Sequence, residues 1–450
     1  DSVDTFSVSG DGERLVVRHR DDIIVVPSSH KVDGDDPACI RVDLTRLRRT
    51  VNPRAEWRQM FDENGRLMAS HYWREDMNGV DWDGVLNRYR PLVDLCHVVD
   101  DLHDILWETV AELNTSHSYV SASGAAGDSD MRAGLLGADV SSGDDGARVV
   151  RVIPGESSDP RAWSPLRAAG VAVTEGDVIV AVDGRKVGAD GNLGELLEGS
   201  AGRVVELTVR RGENERQVAV VPMADEAPLR YHDWVASRRR YVEEHSGGRL
   251  GYLHVPDMVS DGWAELHRQI GEATRHEGVI ADVRFNHGGH TSQLVVERLA
   301  RRVVGWDYSR WYATADTYPQ NAVRGPIVMV TNQWAGSDGD IVAAATQAMG
   351  YAKVIGERSW GGVVGIDGRF DLVDGTSVTQ PRYAGWYGSY GWGVENHGVD
   401  PDIVVTVSPE DWEADRDVQL DAAIAECLRQ LDDKPCLLYT SPSPRDGLLS

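Results

Sequence analysis

Residues 326–345 read PIVMVTNQWAGSDGDIVAAA. The apolar run 326–330 predicts a buried strand, the glycines around Ser337 predict a turn, and the run 341–345 predicts a helix. This order places a serine hydroxyl at the edge of a sheet and at the positive end of a helix, where backbone N–H groups can hold an oxyanion. The turn differs from the G-x-S-x-G elbow, because Ala335 stands where the first glycine would be. Ser337 is therefore either a nucleophile or an ordinary helix cap.

The composition is that of an ordinary globular protein with an acidic surface. The chain has 450 residues, a length that suggests about two to four domains. Its net charge of −26 disfavours a nucleic-acid partner, since such proteins need a basic face. The four cysteines have no paired spacing, which is typical of a reducing compartment and argues against a zinc site. No apolar run reaches the length of a membrane-spanning helix, so we expect no membrane partner.

Both ends of the sequence look unusual. The chain begins at Asp1, without Met and inside a strand-like pattern, so we interpret it as a fragment. Residues 436–450 resemble the translation of a transposon-type sequencing adapter, and we exclude them from the fold prediction.

The first part of the chain has two patterns. Residues 1–38 contain strand-like runs around the turn Gly10-Asp11-Gly12, and we interpret them as the truncated end of a preceding β-propeller. Residues 39–125 are predicted to be mainly helical, because apolar side chains recur there at helical spacing. The second segment carries a candidate general base, described below.

The second part resembles a PDZ domain followed by an α/β domain. In PDZ domains the loop before the second strand binds a peptide C-terminus through backbone N–H groups. A linker is predicted at 224–228. The α/β domain is 229–435, in which strands and helices alternate from Arg249 onward, with a last helix signalled by Ser408-Pro409 and by the apolar residues from Leu420 to Leu431. The PDZ segment is 130–223, and its candidate peptide-binding loop consists of Gly134, Leu135, Leu136 and Gly137.

Three other segments carry groups that serine catalysis needs. The run 282–289 ends in Gly288-Gly289, and glycines let backbone N–H groups approach a ligand closely. His117 follows Ser116 and is a candidate base, because neutral imidazole is the usual general base for a serine. Glu395 lies in a glycine-rich loop, and a carboxylate can orient a hydroxyl or stabilise an imidazolium. The sequence alone does not show that these groups meet.

A metal site is the weaker interpretation of the histidines in these loops. His287, His290 and His397 have a spacing that matches no established zinc pattern. We therefore expect no metal and no cofactor.

The order and content of the segments resemble the core region of the tricorn protease family. The resemblance covers nearly all of the chain from about Phe6 to Leu431 and is specific in its motifs. It implies a multidomain α+β fold with a propeller remnant, a helical segment, a PDZ domain and an α/β serine peptidase core of the ClpP/crotonase type. The stretches that carry the resemblance are 43–73, 114–120, 282–289, 334–340 and 395–403.

The resemblance also implies a Ser-His-Ser-Glu tetrad and an oxyanion hole of backbone N–H groups. A further acidic residue in the family accepts a basic P1 side chain, and by spacing Asp307 is our candidate. The family acts on peptides in the cytoplasm as a homohexamer. The tetrad would be Ser337 as nucleophile, His117 as base, Ser116 as the bridge to the histidine and Glu395 as the partner of Ser116, with Gly288, Gly289 and Asp338 as oxyanion donors.

Two alternatives remain open at this point. The related C-terminal processing peptidases use a Ser–Lys dyad, whose lysine follows an aromatic residue and a glycine. In this chain Gly362 stands at the lysine position and Lys353 lies in a predicted helix-to-strand connection, which favours His117 as the base. The second alternative is a catalytically inactive peptide-binding or scaffold protein of the PDZ type.

Overall fold

The computed structural model describes residues 3–20, 22–48, 50–122, 131–188, 192–311, 315–434 and 436. The chain divides into two compact units, Asp1–Met60 and Phe61–Ser450, and each is described by itself. Apart from Cys436, the predicted adapter segment 436–450 lies outside the described residues, as do the predicted domain limits at 125 and 130.

The first unit contains one antiparallel sheet of four strands in sequential order. The predicted turn joins the first two strands, and the Gly12 N–H donates to the Ser9 carbonyl at 2.9 Å. Side chains of the second strand alternate between exposed and half-buried, because successive side chains of a strand point to opposite faces of the sheet. The strands are β1 (Thr5–Val8), β2 (Arg14–His19), β3 (Asp22–Pro27) and β4 (Ile40–Arg41), followed by a 3-10 turn at Leu44–Arg46.

The predicted helical segment is three helices. The Asp81 carboxylate accepts the Gly84 N–H at 3.0 Å and so caps the second helix, which the short polar side chain at this position favours. The third helix buries Leu102, Leu106 and Val110 along one face. The helices are α1 (Pro53–His71), α2 (Trp82–Val93) and α3 (Val99–Ala111), with a short strand β5 (Val120–Ser121) after them.

The PDZ-like module is an antiparallel sheet in the order β11-β10-β8-β7-β6, with β9 paired to β8. Apolar residues of alternating positions, such as Val205, Leu207 and Val209, point into its own core. Its elements are β6 (Ala138–Gly143), β7 (Gly146–Val152), β8 (Val178–Val182), β9 (Arg185–Lys186), α4 (Leu193–Leu196), β10 (Val205–Arg211) and β11 (Asn214–Val220).

The α/β domain is built on a parallel sheet of five strands in the order β12-β13-β16-β17-β21. Its inner strands are buried on both faces, which explains why 278–282 and 327–331 are nearly continuous apolar runs. The elements are α5 (Ala227–His245), β12 (Leu250–His254), α6 (Ser260–Ala273), β13 (Gly278–Asp282), α7 (Ser292–Leu299), β14 (Gly305–Asp307), β15 (Asp316–Tyr318), β16 (Ile327–Thr331), α8 (Asp338–Met349), β17 (Ala352–Gly356), β18 (Gly365–Asp367), β19 (Ser377–Val378), β20 (Gln380–Tyr383), β21 (Ile403–Val404), α9 (Pro409–Glu413) and α10 (Val418–Asp433).

Two local predictions were wrong. The predicted linker 224–228 is partly helix, because α5 already begins at Ala227; Pro228 fits the first turn, where no N–H is required. Ser408-Pro409 starts only the short helix α9, whereas the last helix has its own cap, with the Asp417 carboxylate accepting the Leu420 N–H. Of the helices that the structure describes, none combines the length and apolar character needed to cross a membrane.

Candidate active site

Ser337 lies between β16 and α8, at the carboxyl edge of the parallel sheet. Its backbone has φ 56° and ψ −120°, a conformation that residues other than glycine rarely adopt and that marks functional turns. Its carbonyl accepts the N–H groups of Asp340 at 2.9 Å and Ile341 at 3.1 Å. The side chain makes no capping hydrogen bond, so the interpretation of Ser337 as an ordinary helix cap is wrong.

Of the predicted oxyanion donors, Gly288 lies against the Ser337 side chain. A Cβ atom on Gly288, whose φ is 74°, would lie 2.5 Å from Ser337 Cβ and 3.1 Å from Oγ, so only glycine fits there. The Gly288 N–H itself donates to Asn286 Oδ1 at 2.9 Å and is not a free donor in this arrangement. Among the described residues, no acceptor is present for the N–H groups of Gly289 and Asp338. Gly288 therefore provides close approach, while Gly289 and Asp338 are the open donors.

Ser116, His117 and Glu395 form one hydrogen-bonded chain. Glu395 Oε1 accepts the Ser116 N–H at 2.7 Å, and Oε2 accepts the Ser116 hydroxyl at 3.0 Å. Oε2 also accepts the N–H groups of Val363 at 2.8 Å and Val364 at 2.9 Å. Ser116 Oγ lies 3.1 Å from His117 Nδ1. The structure thus brings together three of the four predicted tetrad residues by direct contacts.

The hydrogen bonds assign the tautomer of His117. The Ser116 hydroxyl has one hydrogen, which it donates to Glu395, so it accepts the Nδ1–H of His117. Nε2 then carries the lone pair and is the basic nitrogen. Burial lowers the pKa of His117 from its ordinary value of 6.5, and the charge of Glu395 and a backbone hydrogen bond with Val364 offset part of this shift. The imidazole is therefore neutral at pH 7.

The indole of Trp360 connects the nucleophile turn with the base. Its ring packs edge-on against the His117 ring, with centroids 5.6 Å apart and planes at 89°. A Cβ atom on Gly336 would lie 2.7 Å from the same indole, and the backbone N–H of Trp360 donates to the Ala335 carbonyl at 2.9 Å. No hydrogen bond joins Ser337 to His117 within the described structure. Instead, the residues just before Ser337 and the His117 ring contact the same tryptophan.

Residues 359–364, here called the strap, are held by two carboxylates, those of Asp340 and Glu395. Asp340, in the first turn of α8, is fully buried, and burial raises its pKa to about 6. Glu395 binds the end of the strap through the two N–H groups described above. Asp340 binds its beginning, accepting Ser359 Oγ at 2.5 Å, Gly361 N–H at 2.8 Å and Gly362 N–H at 3.2 Å.

Asp340 and Trp360 are functional candidates that the sequence analysis missed. In the sequence, only the position of Asp340 in the turn that contains the nucleophile pointed to such a role. Its partners are backbone N–H groups about 20 residues away along the chain (Gly361 and Gly362), and such pairing leaves no residue pattern.

The segment with His117 is attached to the α/β domain by strand pairing. Val120 in β5 pairs with Val378 in β19. Thr379 Oγ1 accepts the Tyr119 N–H at 2.7 Å and donates to the His117 carbonyl at 2.5 Å. This pairing attaches His117 to the domain that contains Ser337, although more than 200 residues separate the two positions in the sequence.

A cleft of about 430 Å³ opens beside the base. The aromatic rings of Trp107, His117, Tyr119 and Trp360 line it together with polar side chains such as Asn114 and Asn396. A cleft of this kind can accept apolar side chains of a ligand.

Asp307 makes no direct contact with the tetrad among the described residues. It is exposed at the end of β14, opposite Asp316 in β15. No hydrogen bond or ion pair between Asp307 and Ser337 or His117 is present in the part of the chain that the structure describes. Its role as the P1 residue stays a prediction.

The side chains of the remaining candidates pair with residues outside the tetrad. Lys353 is in β17, with its ammonium nitrogen 3.8 Å from Asp402 Oδ1, so it does not supply a Ser–Lys dyad. His397 Nε2 lies 2.9 Å from Asp400 Oδ2. Over the described residues, no three His, Cys, Asp or Glu side chains converge in a way that would hold a metal ion. The predicted PDZ loop, residues 134–137, immediately precedes β6.

Comparisons with known proteins identify the segments. Residues 53–111 match the tricorn protease C1 domain, 134–225 the tricorn protease PDZ domain and 249–405 peptidase family S41. Tricorn protease homolog 1 of Streptomyces coelicolor is 58% identical over 445 residues, covering 98% of this chain and 41% of that protein. Tricorn protease of Thermoplasma acidophilum is 36% identical over 425 residues, covering 94% of this chain and 39% of that protein.

A solved structure gives the same result for the fold. A crystal structure of the tricorn protease superimposes with a TM-score of 0.88 at 34% identity, covering 96% of this chain and 42% of that chain. This chain therefore spans about two fifths of the length of the proteins it matches. It belongs to the tricorn protease family, of which it contains the C1, PDZ and S41 segments.

Proposed function

We propose that the chain is the catalytic part of a tricorn-type serine peptidase that hydrolyses peptides through an acyl-enzyme. The observation that carries the proposal is the pairing of two features. Ser337 has an uncapped hydroxyl against Gly288, and the N–H groups of the neighbouring Gly289 and Asp338 have no acceptor among the described residues. His117 is neutral, has its basic Nε2 assigned by Ser116 and Glu395, and packs on the indole that also touches the nucleophile turn.

The acylation step follows from these positions. His117 Nε2 takes the proton of the Ser337 hydroxyl as Oγ attacks the carbonyl carbon of the scissile bond. The Gly289 and Asp338 N–H groups stabilise the negative charge that develops on the carbonyl oxygen. The Glu395 charge, transmitted through Ser116, stabilises the imidazolium. Collapse of the tetrahedral intermediate breaks the C–N bond, and His117 gives its proton to the leaving amine.

Deacylation uses the same groups in reverse. His117 takes a proton from water, and the hydroxide attacks the ester carbonyl of the Ser337 acyl-enzyme. The same N–H donors stabilise the second oxyanion. The ester bond breaks, the proton returns from His117 to Ser337 Oγ, and the carboxylic acid product leaves.

We also propose the finer features that the family implies. Residues 1–38 belong to the end of a preceding β-propeller, supported by the four-stranded antiparallel sheet that a propeller blade has. The other domains are 39–125, 130–223 and 229–435. The protein acts on oligopeptides in the cytoplasm as a homohexamer, and Asp307 selects basic P1 side chains.

Replacing the nucleophile and the base tests the proposal directly. We expect Ser337→Ala and His117→Ala each to lower kcat/KM for a fluorogenic peptide amide by about 10⁴-fold or more, because tetrad residues act as a unit. Circular dichroism should show an unchanged fold. Ser157→Ala, at an exposed loop serine, is the matched control and should leave activity unchanged. A Ser337→Ala variant with more than a tenth of the original activity would show that another group is the nucleophile.

The pH profile reports the state of His117. Its base form is the unprotonated one, so kcat/KM should fall as pH decreases, with a midpoint below 6.5 because burial lowers the pKa. Glu395→Gln removes the charge that raises this pKa, so the midpoint should move further down and the plateau should drop. Glu410→Gln, at an exposed acid, should change neither. A midpoint above 6.5, or a Glu395→Gln profile identical to the original, would contradict the assignment.

Asp340 is expected to act as a positioning residue. Asp340→Asn places an NH₂ donor opposite the three donors of the strap, which should displace Trp360 and the turn that it touches. We predict a fall in kcat of about 10²-fold with little change in KM, since a displacement of about 1 Å is enough for such a loss. Asp371→Asn, at an exposed acid, is the control. Full kcat in a folded Asp340→Asn variant would rule out the positioning role.

A further inference from the structure

The predicted peptide-binding loop of the PDZ-like module already has partners within the chain. The Gly134 N–H donates to the Leu197 carbonyl at 2.8 Å, and the Leu135 N–H donates to the Met223 carbonyl at 2.9 Å. The Gly137 N–H donates at 2.6 Å to a carboxylate oxygen, Oε1 of Glu226. A PDZ loop receives the terminal carboxylate of a peptide through such N–H groups. Here a side-chain carboxylate of the same chain takes that place.

The Glu226 carboxylate is fixed on its other side as well. The residue is only 9% exposed, and its Oε2 accepts Arg230 Nε at 2.7 Å. The Arg230 guanidinium also donates to Asp139 Oδ1 at 2.9 Å and approaches the Ala138 carbonyl at 3.5 Å. Both of these residues begin β6, the edge strand of the described sheet, to which an added peptide strand would pair. These charge-assisted hydrogen bonds occupy the start of that edge.

The apolar side chain of Leu229 also resembles part of a bound peptide. Leu229 is fully buried and packs with Ile153 and Ala162. A Cβ atom on Gly137 would lie 2.9 Å from Leu229 Cδ2, so the leucine contacts the loop itself. A peptide ligand of a PDZ loop supplies one carboxylate and one apolar side chain. Glu226 and Leu229 supply both.

We propose that residues 226–230 are the resident ligand of the PDZ carboxylate site, and that they exclude free peptide C-termini from it. The same residues form the start of α5, which leads into β12 of the α/β domain. The site therefore joins the PDZ-like module to the peptidase domain. An external carboxylate gains access only when the first turn of α5 leaves the loop. This proposal does not depend on the peptidase activity.

A binding experiment tests the proposal. The probe is a fluorescein-labelled octapeptide that ends in leucine, with either a free carboxylate or a C-terminal amide, and it is titrated by anisotropy. The full chain carries Ser337→Ala to prevent cleavage. We expect no saturable binding when Glu226 is present. Glu226→Ala should bind the free-acid peptide at least tenfold more tightly than the amide peptide.

A stability measurement covers the case in which Glu226→Ala folds poorly. Sodium acetate should raise the Tm of Glu226→Ala, or restore its refolding, whereas sodium chloride of equal ionic strength should not. Glu244→Ala removes an exposed acid from the same helix and should show neither effect. The proposal is overturned if the chain with Glu226 binds the free-acid peptide as tightly as Glu226→Ala does. It is also overturned if Glu226→Ala neither binds the peptide nor responds to acetate.

Discussion

The carboxylate of Glu395 is the contact on which the rest of the site depends. It accepts four hydrogen bonds, two from Ser116 and one each from Val363 and Val364, which fills the usual acceptor capacity of a carboxylate. All four donors are neutral groups, so no cation cancels its charge through these contacts. The charge therefore acts on His117, where it raises a pKa that burial lowers. One side chain thus joins the helical segment to the peptidase domain and stabilises the imidazolium.

A second carboxylate, that of the fully buried Asp340, holds the strap beside the base. Asp340 and Glu395 hold the two ends of the strap, and Trp360 within it contacts both the nucleophile turn and His117. A Cβ atom on Gly362 would lie 2.2 Å from the Trp360 ring. A lysine at 362, as in a Ser–Lys dyad, would therefore collide with the indole that positions the histidine. In this chain the indole occupies the space that a side chain at position 362 would need.

Much of the fold followed from local patterns, whereas the site depended on long-range contacts. The strand, turn and helix around Ser337 were predictable because apolar periodicity and glycines are local signals. The meeting of His117 with that turn was implied only by the family resemblance, since it rests on the pairing of Val120 with Val378. Helix α5 was missed because Pro228 at its start was interpreted as part of a linker. The role of Asp340 could not be found, because its partners are mostly backbone groups.

Labelling with a fluorophosphonate tests most directly whether the Glu395-ordered histidine activates Ser337. Tryptic digestion should release residues 325–353, a peptide in which Ser337 is the only serine. The account predicts that the label is found on this peptide in the original chain, and that labelling is lost in Ser337→Ala and strongly slowed in His117→Ala and Glu395→Gln. Labelling at an unchanged rate in folded His117→Ala, or a label on a different peptide, would contradict it.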